Sequence, residues 1–342
     1  LAGLLENENT PGGTATFGAK WTDEEGNLWI YGIYGTFDNE NNTSGYSSVD
    51  LWRFNISEKK WQWINGKENS FYKIYGDLAD YGTINVENKN NSPGRRLRAM
   101  SWIDKNGNFW MFGGTSENNR YFFYQDMWMY NRITDNWVWK GGIQNSKNGY
   151  GNYGASGVYA ITNIPGARMN GKTWTDKDGN FYLYGGYGFD ENSTSQGYLN
   201  DLWKYDVSIN QWVWLSGDKT INNFNGINYP IADYGKGIGW NDENKNFWYF
   251  SSGNMWKYQI NNNSWIKITS SLPYASANYG IVGIENASNY PGSNREGALT
   301  WAGKNGDFWL LGGGDSLSQQ DYWRYNINTN NWTWMFGPKT FS

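Results

Sequence analysis

Residues 177–186 read KDGNFYLYGG: a polar turn, four bulky residues in a row, then two glycines. Asp, Gly and Asn tolerate positive φ and make a tight hairpin turn. The aromatic run after it reads as a strand covered on both faces, and the paired glycines end it where no Cβ would fit. The stretch recurs. WTDEEGNLWIYG (21–32), WIDKNGNFWMFGG (102–114), WTDKDGNFYLYGG (174–186), WNDENKNFWYFSSG (240–253) and WAGKNGDFWLLGGG (301–314) are five copies of one pattern, each opened by a Trp.

Two further signatures follow each copy. The first is Asp50-Leu51-Trp52, Asp126-Met127-Trp128, Asp201-Leu202-Trp203, Asn254-Met255-Trp256 and Asp321-Tyr322-Trp323. The second is Trp61-Gln62-Trp63, Trp137-Val138-Trp139, Trp212-Val213-Trp214, Trp265-Ile266-Lys267 and Trp332-Thr333-Trp334. Alternation of β-branched and aromatic residues argues strand, and no segment sustains a 3.6-residue period. Each unit therefore reads as four short antiparallel strands, and helix should be nearly absent. Five such units, at about 11–65, 93–140, 165–215, 231–268 and 291–335, predict an all-β chain: one five-bladed β-propeller domain over 1–342. Its closure would rest on side-chain packing between the first and last units.

The double glycine, the spaced Asp-Leu-Trp and the closing Trp resemble Kelch repeats. The leader Pro165-Gly166-Ala167-Arg168 before Trp174 is similar to that of bacterial Kelch and galactose-oxidase-like propellers. The resemblance covers almost the whole chain and implies the propeller fold, while Kelch propellers serve many tasks. Unit 4 departs from the pattern: Ser251-Ser252-Gly253 replaces the double glycine, and the Pro-Gly leader is missing.

Composition excludes several functions. The chain has 342 residues, a net charge of −4, 23 Trp, 26 Tyr, no Cys and no His. Without Cys there is no disulfide or thiolate nucleophile, and without His no imidazole base or imidazole metal ligand. The copper chemistry of galactose oxidase needs both residue types, so it is excluded. Basic residues cluster only at Arg95-Arg96-Leu97-Arg98, which argues against nucleic acid as a partner. No apolar run is long enough for a membrane helix, so no membrane insertion is expected, and no cofactor or metal either. Glu296 is the one obvious carboxylate on an inner strand, too few for a glycosidase. All 23 Trp fall inside the five-unit framework, which makes them core residues.

Contact candidates then come from the connections. Those after strands 2 and 4 are long (35–49, 115–125, 187–200; 64–92, 140–164, 266–290) and leave from one face of the propeller. They carry Tyr121-Phe122-Phe123-Tyr124 and Tyr150, stiff aromatics among Asn, Ser and Gly. Arg96, Arg168 and Arg295 stand six residues before a leading Trp. The resemblance places such an Arg near the channel mouth, free to take an acidic ligand; the alternative is an Arg that bonds loop carbonyls between blades. Tyr81-Gly82, Tyr153-Gly154 and Tyr279-Gly280 recur at similar offsets and read as framework, as do the turn residues Asp23, Asp104, Asp176 and Asp242. Eight Asn-x-Ser/Thr sequons permit glycosylation. The first residue is Leu, as in a processed form or a fragment. Together these features predict a non-enzymatic, secreted or cell-surface module. Its partner is a protein or a second copy of itself, met through the loop face, or alternatively a glycan, as in a lectin.

Overall fold

In the computed structural model the described residues are 11, 18–39, 42–66, 79–115, 122–144, 148–192, 194–224, 228–233, 237–269, 276–293, 295, 297–314 and 319–339. They form a five-bladed β-propeller of four-stranded antiparallel blades. Blade 1 is Ala19–Thr22, Leu28–Tyr31, Leu51–Asn55 and Lys60–Asn65. Blade 2 is Met100–Ile103, Phe109–Phe112, Met127–Asn131 and Asn136–Gly141. Blade 3 is Lys172–Thr175, Phe181–Gly188, Gly197–Asp206 and Gln211–Ser216, with Arg168–Met169 as an added short strand. Blade 4 is Ile238–Asn241, Phe247–Ser251, Asn254–Gln259 and Ser264–Thr269. Blade 5 is Leu299–Ala302, Phe308–Gly313, Gln319–Asn326 and Asn331–Phe336. One 3-10 turn, Ile260–Asn262, interrupts the β structure among the described residues. The chain divides into two compact units, one of residues 1–175, 179–197 and 203–214, the other of 176–178, 198–202 and 215–342.

The predicted turns form as read. Asp23 Oδ1 accepts from the Asn27 amide at 2.8 Å, and its Oδ2 accepts from Trp29 Nε1 at 2.7 Å. Asp104 and Asp242 repeat both bonds. Burial raises the Asp242 pKa, but bonds from Trp248 and Asn246 and the Lys257 ammonium outweigh it and hold the carboxyl below its ordinary value. In blade 4 the shortened connection is a two-residue turn in which Ser252 and Gly253 both have positive φ, as a type I′ hairpin requires.

Cores form where one blade meets the next, and three such junctions lie within the units. Trp21 stacks on Phe109 at 5.0 Å, Trp102 on Phe181 at 5.4 Å and Trp240 on Phe308 at 5.3 Å. Each leading indole Nε1 also donates to a backbone carbonyl of the following blade: Trp21 to Trp102 at 2.9 Å, Trp102 to Tyr182 at 3.0 Å, Trp240 to Trp309 at 2.9 Å. The forward face of one blade and the rear face of the next thus share one hydrophobic cluster. The expectation that every Trp is core fails at one place: Trp301, the leading Trp of blade 5, is exposed. Leu28, which stands in blade 1 where the other blades have Phe, is exposed too.

The connections differ from expectation in two respects. The stretch 187–200 is strand at both ends, 187–188 and 197–200, and Arg168–Met169 pairs with Tyr187 and Gly188 and prolongs blade 3. The linkers ahead of blades 2, 3 and 5 do not pile up as loop mass. They lie along the fourth strand of the blade they precede. Asn91 Nδ2 donates to the Trp137 carbonyl at 2.9 Å, Asn163 Nδ2 to that of Trp212 at 3.2 Å and Asn289 Nδ2 to that of Trp332 at 3.0 Å. Gly82 has φ +55°, and a Cβ there would sit 2.3 Å from Asn91 Oδ1, so the Tyr-Gly pair and the Asn form one latch.

Candidate functional site

The three arginines are placed first, because burial decides their role. Arg96, Arg168 and Arg295 are fully buried. Arg96 Nη1 and Nη2 donate to the two oxygens of Asp126 at 2.7 and 2.9 Å, and Nη1 also reaches the Gly113 carbonyl at 3.2 Å. Arg295 makes the same fork on Asp321 and reaches the Gly312 carbonyl at 3.1 Å. Both also donate to a leader proline carbonyl, Pro93 and Pro291. Arg168 reaches the Gly185 carbonyl at 3.1 Å and that of Gly166 at 2.9 Å. Leader, paired glycines and Asp-Leu-Trp signature are therefore one buried network. Tyr81 and Trp128 close it on Asp126 in blade 2, as Tyr279 and Trp323 do on Asp321 in blade 5. Burial pushes the Asp321 pKa up, but the bonds and charge of Arg295, with Trp323 and Tyr279, bring it below its ordinary value. The guanidinium groups bond loop carbonyls and framework carboxylates and turn no fork to solvent, which removes them as partner contacts.

Blade 4 solves the same corner differently. Its Asp233 accepts from the Tyr249 hydroxyl and from Ser251 Oγ, the latter at 2.6 Å, where blades 2 and 5 use the Arg–Asp fork.

Of the loop aromatics, Tyr121 lies outside the described residues. Phe123 is not a contact residue: it is buried with Ala167, Met169 and Phe189 in a small core of its own. Three segments distant in sequence meet over that core. The Phe123 amide donates to Asn148 Oδ1 at 3.0 Å and the Asn148 amide returns a bond to the Phe123 carbonyl at 3.0 Å. The Gly151 amide donates to the Asp190 carbonyl at 2.8 Å. Gln125 Nε2 donates to the carbonyls of Tyr150 and Pro165 at 2.6 and 2.9 Å. Tyr150 is thereby held by its backbone on both sides, with its ring edge-on to Phe189 at 6.2 Å and 49% of its surface exposed. Phe122 and Tyr124, on either side of Phe123 in the chain, are half-buried, and the Arg96 guanidinium lies 4.6 Å over the Tyr124 ring.

The cluster offers a half-exposed amphipathic ring over a backbone held by hydrogen bonds. A cleft of about 470 Å³ in the second unit is walled by Lys177, Glu243, Asn244, Lys245, Gln259 and Asn261, polar side chains with no aromatic platform among them. The clustering of Phe123, Tyr150 and Phe189 could not be read from spacing, since nothing in the sequence ties residues 122–125 to 148–151. No protein-family model matches the chain, and a search of curated proteins finds no match.

Proposed function

We propose that the chain is a non-enzymatic protein-interaction module of the Kelch-type propeller class, acting outside the cell or at its surface. Its contact site is the loop cluster around Tyr150 in the first unit. The observation that carries this reading is the half-exposed Tyr150 ring on a backbone hydrogen-bonded to Gln125 and Asp190. A ring already ordered before binding loses little entropy on contact, which is why Tyr is favoured at binding surfaces. The alternative use of the same loops, as a glycan platform, is separated by the test. Tyr150→Ala and wild-type protein are compared for retention of surface proteins from the source cells and on a glycan array. The reading expects a specific protein partner held by wild type and lost by Tyr150→Ala, with unchanged melting. Equal retention by both overturns it, and glycan hits lost in the variant move the site to a lectin function.

A further inference from the structure

Asn-Gly pairs stand at Asn65, Asn106, Asn148, Asn170, Asn225 and Asn305. Such a pair can react with itself, because glycine has no Cβ to keep its amide nitrogen away from the asparagine side chain. In a folded chain the reaction depends on how firmly the backbone around the pair is held. Asn225 lies outside the described residues. Three of the others are tied to distant segments. Asn65 Nδ2 donates to the Asp135 carbonyl at 3.1 Å, Asn148 exchanges two bonds with Phe123, and the Asn170 amide donates to the Arg98 carbonyl at 3.1 Å.

The remaining two pairs, Asn106-Gly107 and Asn305-Gly306, occupy the same turn of blades 2 and 5, between the first and second strands. Their backbones match. Gly107 has φ +78° and Gly306 +80°. The Gly107 amide donates to the Asp104 carbonyl and the Gly306 amide to the Gly303 carbonyl, both at 3.0 Å. The side chains that hold the turns do not match. Asp104 Oδ1 accepts from the Asn106 and Asn108 amides, both at 2.9 Å, and its Oδ2 accepts from Asn108 Nδ2 at 3.0 Å and from Trp110 Nε1 at 2.8 Å. One carboxylate thus clamps the turn on both sides of Gly107. Blade 5 has Gly303 in that place, with no side chain to cap the Asn305 and Asp307 amides. A Cβ on Gly303 would lie 2.6 Å from Trp309 Nε1, so the space is already taken by the indole.

We infer that Asn305 is a site of spontaneous deamidation, opened by the missing cap, and that the Asp104 cap protects Asn106 from the same reaction. The Gly306 amide nitrogen loses its proton and bonds to Asn305 Cγ. The bond from Cγ to the side-chain nitrogen breaks, and that nitrogen leaves as ammonia. Water then opens the cyclic imide at either carbonyl, leaving aspartate or isoaspartate. Either product adds a carboxylate to the wall of a cleft of about 500 Å³ that Asn305 and Gly306 share with Trp248, Ile327 and Asn328. Isoaspartate also routes the main chain through the side-chain carbon and lengthens the turn by a methylene.

The test is peptide mapping by mass spectrometry of the folded chain aged at mildly alkaline pH, with isoaspartate read by enzymatic methyl-esterification. Asn305 should convert at least about tenfold faster than Asn106, the factor that the two amide bonds of the cap represent. In urea the two sites should convert at similar rates, because the cap is then lost. Asp104→Gly should raise the Asn106 rate about tenfold, while Asp104→Asn, which keeps an acceptor oxygen, should leave it low. The comparison of the two sites in the wild-type chain decides the matter even where Asp104→Gly fails to fold. Equal rates at Asn106 and Asn305 in the folded chain overturn the inference, and so does a folded Asp104→Gly variant whose Asn106 converts no faster.

Discussion

Trp240 and Trp301 occupy the same place in successive blades, each opposite a second-strand Trp, at the head of the same turn. One is buried, stacked on Phe308 and hydrogen-bonded to the next blade; the other faces water. What separates them is the junction: Trp240 has Phe308 of the next blade against it within its unit. A blade is thus specified locally, by its turns and alternation, while the burial of its faces is a property of the junction.

Substitutions can break that comparison in order of expected cost. Trp240→Ala opens a cavity and leaves the Trp309 carbonyl without its indole donor, so it should destabilise the second unit by about 3–5 kcal/mol in denaturant titrations. Asp321→Ala leaves Arg295 buried and uncompensated, and a loss of about 3–5 kcal/mol is expected of a broken buried ion pair. The same pair predicts a pH dependence. Asp321 and Asp242 have folded pKa values below their unfolded ones, so their stabilisation is present above the unfolded pKa and lost as pH falls through the folded one. Denaturation midpoints measured downward through the carboxylate range should decline, and a midpoint that is flat there would contradict the ion-pair account. Trp301→Ala should cost less than Trp240→Ala, about 1–2 kcal/mol, because 40% of its surface already faces water while the rest stacks on Trp309 and Tyr322. Tyr150→Ala should change stability by no more than about 0.5 kcal/mol while weakening partner binding at least tenfold.

Much of the framework was legible because it repeats. The Asp-capped turns, the Tyr-Gly pairs and the leading Trp positions recur from unit to unit, and the structure uses them as read except at Trp301, which is exposed. The arginines repeat equally well, yet spacing alone left two roles open; only burial beside Asp126 and Asp321 chose between them. The latch asparagines Asn91, Asn163 and Asn289 carried a usable signal, nine residues after each Tyr-Gly glycine, hidden by the abundance of Asn. Phe123 was read as a loop contact and is core, because its neighbours Met169 and Phe189 arrive from the following blade. Local pattern fixes turns and strands; contacts between distant loops have no such trace.

The exposure of Trp301 against Trp240 is the claim on which the rest stands, and hydroxyl-radical footprinting across a dilution series reads it residue by residue. The account predicts that Trp240 and Trp102 stay protected at every concentration, while Trp301 is oxidised. Protection of Trp301 equal to that of Trp240 at the lowest concentration would contradict it.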